Sequence, residues 1–521
     1  MNKINWPKID SDHLIVYSNQ MLELENDAFK SGMPEASLME KVGIAISNWL
    51  VDRKDLLKNG ATIIAGPGHN GGDGAVIARE LFLKGFSVRV WSPFAIKKKL
   101  TKTHLDYITS LGVKKLVKAP DPNNNDLWID AIFGNNQSRP LDQSLIELFN
   151  RKFDNQNGQI ISIDIPSGLC PNSGRPFSDT AIKANHTIAV GLKKIGLIQD
   201  DAIPYVGEIH NIDIGFPSKK LADVNKKILV VCENDIDQIK FCLPPKNVGK
   251  YKRGRTLLIA GSENYPGASS LAIKGALASG VGYIKTLLPE KIATSIWQIA
   301  PEIVVEGVLK SSSSGNSLIY ESLVKIDLTQ YESIMIGPGI GIEVSDWESS
   351  YDFFINFAGT LIIDADALNR IAASELGTRF FLKRKFKTFI TPHMGEFSRL
   401  FPNLKEINNT QLAIKAAEMF NLSLLLKGAN SIIADKKIAW QIYKTESDSA
   451  RAGLGDLLSG FVAGMTALEM ASGKNVSTES LAKYVFLHSY AALKSVDGSD
   501  ASSISRKLSK IVREIKVGQL S

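Results

Sequence analysis

The chain has 521 residues, 44% of them apolar and 22% charged, with a formal charge of +7, which is ordinary globular material with room for about three domains on length alone. Its lysines are spread out rather than gathered into a basic arm, so no nucleic-acid partner is expected, and Cys170, Cys232 and Cys242 make neither a disulfide framework nor a Cys-x-x-Cys metal site. Residues 1–10 lack the apolar stretch of a signal peptide, no run approaches the roughly 20 apolar residues of a membrane span, and no His-Glu-x-x-His pair suggests a zinc hydrolase, so a cytoplasmic protein without a membrane partner is expected.

An amphipathic pattern over residues 18–50 predicts two helices, the first capped by Ser18 or Asn19. Strand-like and helix-like segments then alternate. Strands are predicted at 62–65, 87–91, 127–133 and 159–165, and helices at 73–84, 103–111 and 142–150. Two more short strands are expected at 187–190 and 208–214. Such alternation is the pattern of a parallel sheet flanked by helices.

Gly215-Phe216-Pro217 and the polar, lysine-rich residues 218–227 read as a boundary, giving domains 1–220 and 221–521. The alternation resumes with strands at 256–260, 283–288, 333–336, 360–364, 387–391 and 422–426. A helix from Asp456 onward carries Gly460, Ala463 and Gly464, small enough for close helix packing. Both halves are thus α/β.

Seven unusual loops directly follow the apolar runs, and in open α/β sheets ligands collect at the carboxyl ends of the strands. The first, Gly66-x-Gly68-x-x-Gly71, spells the dinucleotide fingerprint between a strand and a helix. A tight turn would read the same way. A nicotinamide dehydrogenase would also need an acidic residue after the second strand to hold the ribose, but residues 87–91 run into Ser92-Pro93-Phe94.

The longer string Asn70-Gly71-Gly72-Asp73-Gly74, with Asp130-x-x-x-Gly134 and Asp164-Ile165-Pro166-Ser167-Gly168, is more specific, and it resembles the NAD(P)H-hydrate epimerases over residues 15–217. The resemblance implies that His69, Asn70, Gly71, Gly72 and Asp73 contact the hydrated dinucleotide. It implies a second ligand loop of Gly134, Asn135, Asn136, Gln137, Ser138, Arg139 and Pro140. A potassium ion would be held by Asn70, Asp130 and Ser167, an oxygen-only set suited to a hard cation. Asp164 is the candidate acid/base, although Asp-x-Pro-Ser-Gly is also turn chemistry. The chain departs from that pattern at His69, where Asn is usual, and at Asn135-Asn136, which replace Thr-Gly.

In the second half, Gly453-x-Gly455-Asp456 leads into a helix, whose first N–H groups and dipole favour an anion. An aspartate there can deprotonate a substrate hydroxyl as a phosphoryl group arrives. The companions are residues 261–268, 336–341, Asp364-Ala365-Asp366, Thr391-Pro392-His393-x-Gly395-Glu396 and Leu426-Lys427-Gly428-Ala429. Together they resemble the NAD(P)H-hydrate dehydratases of the ribokinase-like fold over residues 240–500. The resemblance implies that Ala268, Gly341, His393 and Asp456 meet the hydrate, and that Lys427, Gly428, Ala429, Asn430, Ser431 and Gly455 hold the nucleotide. His393 after a strand also suits a purely structural residue. Ser449-Ala450-Arg451-Ala452 stands where many relatives carry a Gly-Met-Ala-Thr-like string.

The expected architecture is an N-terminal Rossmann-like three-layer α/β domain followed by a ribokinase-like α/β domain. The resemblance implies a bifunctional repair enzyme for NADHX and NADPHX, with catalytic Asp164 and Asp456, potassium in the first domain and Mg2+ with ADP in the second. A homo-oligomer is expected. Two alternatives stay open: a ribokinase-like small-molecule kinase, and a first domain that only binds ligand.

Overall fold

The computed structural model describes residues 6–224, 227–245, 247–443, 451–496 and 499–517. The chain forms two compact units, Ile9–Ile228 and Leu229–Ser521 with Met1–Lys8. The junction falls inside the strand Lys227–Val231, which the lysine-rich stretch before it hides.

The sheet of the Ile9–Ile228 unit runs, edge to edge, Lys114–Leu116, Val88–Trp91, Ala61–Ala65, Leu127–Ala131, Ile160–Ile163, His186–Val190 and Glu208–Ile212, with every pairing parallel. The strands Ala61–Ala65, Leu127–Ala131 and Ile160–Ile163 are buried throughout, as β-branched apolar runs demand when helices cover both faces. Chain order reverses between Ala61–Ala65 and Leu127–Ala131, so the two strand ends diverge into a crevice there. Gly66 and Ile132 flank it so closely that a Cβ on Gly66 would lie 1.8 Å from the Ile132 carbonyl oxygen.

Two local expectations are corrected here. The helix after the glycine loop begins at His69, not Asp73, so residues 69–72 form its first turn. The helix Ser18–Lys30 is capped by neither Ser18 nor Asn19; Gln20 Oε1 reaches back to accept the Tyr17 amide at 2.9 Å. Asp142 does cap the helix Gln143–Asp154, accepting the Ser144 amide at 2.9 Å.

In the other unit the strand order is Ser317–Leu318, Val304–Ser311, Tyr283–Pro289, Arg255–Ile259, Ser333–Ile336, Thr360–Ile363, Thr388–Ile390, Ser423–Leu426, Ser431–Ala434 and Ile438–Ile442. Pairing is parallel from Val304–Ser311 to Ser423–Leu426 and antiparallel beyond both. The order reverses between Arg255–Ile259 and Ser333–Ile336, where the Gly261 amide bonds the Pro338 carbonyl at 2.8 Å. The helices Pro266–Ser279 and Leu454–Met470 pack backbone to backbone. A Cβ on Gly460 would sit 1.8 Å from the Ala272 oxygen, and one on Gly464 2.2 Å from Ser279 Oγ, so the small residues serve the close packing expected of them.

Candidate active sites

At the crevice of the first sheet, the turn after Ile160–Ile163 carries Asp164 in a left-handed conformation, φ 70°. Its Oδ2 accepts the Asn135 amide at 2.7 Å, and its Oδ1 is ion-paired with Lys194 and accepts the Val190 amide at 3.4 Å. The carboxylate therefore has a fixed orientation. It opens onto a cavity of about 450 Å³ lined also by Glu25, His69, Asn70, Asp73 and Phe133. That volume is within the range of small-molecule sites and suits part of a dinucleotide.

Glu25, Asp73 and Asp164 act on one another across this cavity, and the buried Lys194 ammonium pairs with Asp164. Burial pushes Glu25 up to about 7, with Lys194 pulling it down and Asp164 raising it further. Burial, and then Asp164 and Glu25, push Asp73 well above the usual carboxylate range. Protons are thus held at the cavity near neutral pH, which general acid/base work requires.

The expected ligand loop divides. Gly134, Asn135, Asn136 and Gln137 line the cavity, whereas Ser138, Arg139 and Pro140 are exposed and outside its lining. Gly71 and Gly72 are also away from the wall. A Cβ on Gly71 would lie 2.1 Å from the Gly66 oxygen and one on Gly72 2.5 Å from Met39 Cε, so both serve packing. His69 Nε2 lies 3.3 Å from Glu35 Oε1, and burial lowers its pKa.

Asp130 is wholly buried. Its carboxylate accepts from Ser167 Oγ at 2.7 Å, Ser162 Oγ at 2.8 Å, Ser167 N at 2.9 Å and Ile132 N at 3.2 Å. No ion pair reaches it among the described residues, and burial raises its pKa against those four hydrogen bonds. Asn70, also buried, donates to the Ile163 carbonyl at 3.4 Å. An oxygen-only set around an uncompensated buried carboxylate fits a monovalent cation in both donor type and charge.

In the second unit Asp456 lies in the first turn of Leu454–Met470, after Gly453 at φ 85°. Burial pushes its carboxyl up to about 7, with Asp364 adding to the rise, Lys427 opposing it, and Asp366 and Glu396 raising it further. Lys427 Nζ is 2.8 Å from Asp364 Oδ1, Ser459 Oγ donates to the other Asp364 oxygen, and Gly455 lies against the same ammonium. Lys427, Gly428, Ala429 and Asn430 turn between the antiparallel strands Ser423–Leu426 and Ser431–Ala434. The backbone bond from the Lys427 amide to Pro392 O at 2.9 Å ties that turn to the His393 loop.

Gly341 is held from two sides. Its amide donates to Asp366 Oδ2 at 2.9 Å and its carbonyl accepts from buried Arg370 Nε at 2.7 Å. Ala268 lies beside the same loop, 2.7 Å from where a Gly339 Cβ would be. His393 caps the helix Met394–Leu400, its Nδ1 accepting the Gly395 amide at 3.0 Å and its Nε2 3.3 Å from Glu396 Oε1. Half of the ring is exposed, so it can cap and still meet a ligand. Ser449 and Ala450 lie outside the described residues; Arg451 and Ala452 lead directly to Gly453.

Lys194, Glu25 and Arg370 were not anticipated. Lys194 carried a signal, a lysine between Leu192 and the apolar run 195–198. Glu25 sits in a polar helix and Arg370 in an amphipathic one, so only the tertiary structure singles them out.

A family model described as NAD(P)H-hydrate dehydratase matches residues 256–513, and one described as YjeF-related protein N-terminus matches residues 35–196. The bifunctional NAD(P)H-hydrate repair enzyme Nnr of Synechocystis sp. is 35% identical over 87% of this chain and 86% of its own. That of Gloeobacter violaceus is 32% identical over 87% and 89%. This chain belongs to the bifunctional NAD(P)H-hydrate repair enzymes. The resemblance drawn from the loops of each half holds, and the α/β class holds in both units. Among solved structures, a ribokinase-like superfamily protein from Enterococcus faecalis gives a TM-score of 0.47 at 22% identity, covering 55% of this chain and 96% of that one. An ADP/ATP-dependent NAD(P)H-hydrate dehydratase from Bacillus subtilis gives 0.44 at 23%, covering 55% and 97%. No helix among the described residues is long and apolar enough to cross a membrane.

Proposed function

We propose that the first unit interconverts the R and S epimers of hydrated NADH and NADPH, and that the second dehydrates the S form at the expense of ADP, giving AMP and phosphate. In the first reaction Asp164, oriented by Lys194 and the Asn135 amide, moves the proton at the hydrated centre, and Glu25 at about 7 is the neighbouring acid. Asn70, Asp130 and Ser167 would hold a potassium ion, which would supply the counter-charge that a buried Asp130 carboxylate lacks.

In the ribokinase-like second unit, Asp456 takes the proton of the substrate hydroxyl. Lys427, Gly428, Ala429, Asn430, Ser431 and Gly455 bind the nucleotide, and Ala268, Gly341 and His393 bind the hydrate. Asp366 and Glu396 would offer oxygen donors to Mg2+ brought in with ADP, an ion that would neutralise phosphate charge when bound. Phosphate is a far better leaving group than hydroxide, so its loss from the hydrated carbon, driven by the ring nitrogen lone pair, and loss of the proton on the adjacent carbon re-form the double bond and restore the reduced nicotinamide.

The observation that carries this reading is geometric: a carboxylate in the first turn of a glycine-led helix, close to the partly buried Lys427–Asp364 ion pair, where burial pushes it up to about 7. The experiment is to mix the purified protein with mixed-epimer NADH hydrate and ADP or ATP. Recovery of NADH absorbance with release of free phosphate supports it. A stable phosphorylated product would favour a small-molecule kinase, and failure to consume the R epimer would favour a first domain that only binds.

A further inference from the structure

The register of the edge strands assembles three metal-ligating side chains away from both sites. Glu208 and His210 are two residues apart on the strand Glu208–Ile212, so their side chains leave the same face. The neighbouring strand His186–Val190 pairs His186 directly with Glu208 in parallel register, adding a third side chain to that face. All three lie at or near the amino ends of their strands, whereas Asp164 and Val190 mark the carboxyl end of the sheet.

We propose that His186, Glu208 and His210 form a transition-metal site of the zinc type. His186 Nδ1 and His210 Nε2 are 3.2 Å apart, and Glu208 Oε2 is 3.7 Å from each. Two imidazole nitrogens on one tetrahedral zinc, each about 2.0–2.1 Å from the metal, stand roughly 3.3–3.4 Å apart. The imidazole pair therefore needs almost no movement. Glu208, half-exposed, has only a few tenths of an ångström to close.

The surroundings orient the rings as a metal site requires. Gln159 Oε1 lies 3.0 Å from His186 Nε2 and accepts its proton, which leaves the lone pair on Nδ1, facing His210. Trp49, near the end of the helix Glu35–Val51, walls the site with ring centroids 4.7 Å from His210 and 5.9 Å from His186. The Arg53 guanidinium stacks 4.0 Å over Trp49.

Two nitrogens and one carboxylate oxygen select zinc or its late first-row neighbours over Mg2+, Ca2+ or K+, which take oxygen shells. The ion would cross-link the edge strand Glu208–Ile212 to the strand beside it, and the exposed side of Glu208 leaves a fourth position for water.

The test uses the full chain, stripped with EDTA and desalted, and titrated with ZnCl2 by calorimetry alongside thermal melts. The wild type should bind one equivalent more than the His186→Ala/His210→Ala variant, and zinc should raise the wild-type Tm more than the variant's. Should that variant not fold, Glu208→Gln, at a half-exposed position, should keep the metal-free Tm and epimerase rate yet lose at least tenfold in zinc affinity. Gln159→Ala should weaken binding about ten- to a hundredfold. Absence of zinc uptake by the wild type, or equal stoichiometry and affinity in all the folded variants, overturns the proposal.

Discussion

Lys194 is ion-paired with Asp164 Oδ1 while the Asn135 amide, at 2.7 Å, occupies Oδ2 of the same carboxylate. The two contacts come from different segments and hold the acid/base candidate from opposite sides. Asp164→Asn should therefore leave turnover of the S hydrate intact and reduce R-hydrate consumption to its spontaneous interconversion. The loss should be roughly 10² to 10⁴ in epimerase rate. An R-epimer rate within a few-fold of wild type would remove Asp164 from the mechanism.

Glu25 allows a pH test with a definite sign. Its folded pKa of about 7 lies above the ordinary value of 4.5, so the folded state binds the extra proton. Its contribution is present below about 4.5 and is lost as the pH rises through about 7. Glu25→Gln should thus raise the Tm relative to wild type at pH 8 and leave it nearly unchanged at pH 4.5. An equal shift at both pH values would show that packing, not titration, governs the site.

The cation proposal separates readily from a zinc-dependent reaction. With Asn70, Asp130 and Ser167 offering oxygen alone, EDTA should leave epimerisation intact, whereas replacing K+ by a bulky organic cation should slow it. Asp130→Ala would strand the donors of Ser162 and Ser167 as well, so it should lower both the monovalent-ion response and the Tm. Full inhibition by chelator, restored by zinc, would contradict the assignment.

How much of this was legible beforehand follows from local chemistry. Buried parallel strands are continuous apolar runs, so Thr360–Ile363 and Leu127–Ala131 announced themselves, and the glycine loops followed because close approach admits no side chain. The strand Val304–Ser311 is largely exposed, and its residues through Lys310 alternate too weakly to declare it. Gly71 and Gly72 carry a packing demand that their motif does not spell out. A side chain at either would meet the Gly66 backbone or the Met39 side chain. Lys194, Glu25 and Arg370 acquire meaning only from partners far along the chain.

Arg370 illustrates that dependence. Its buried guanidinium bonds the carbonyls of Gly341, Ser317 and Ile340 at 2.7, 2.7 and 3.1 Å, and Asp346 at 3.1 Å. Arg370→Ala would leave Asp346 and three carbonyls without this partner. By analogy with broken buried pairs it should cost about 3–5 kcal/mol in chemical denaturation. A change below about 1 kcal/mol would mean that water replaces the guanidinium.

Asp456 is the most exacting test of the second site. Asn keeps its size and its ability to accept a helix-end N–H, but it cannot take a proton, so Asp456→Asn separates a cap from a base. Nucleotide affinity should change little, since Lys427 and the backbone amides remain, while the dehydratase rate should fall by roughly 10² to 10⁴. The wild-type rate should also decline as the pH drops below about 7, because protonation disables the base, and the variant should lose that limb. Near-normal turnover with lost nucleotide binding or a lowered Tm would make Asp456 a helix cap, and the proton of the substrate hydroxyl would then need another acceptor.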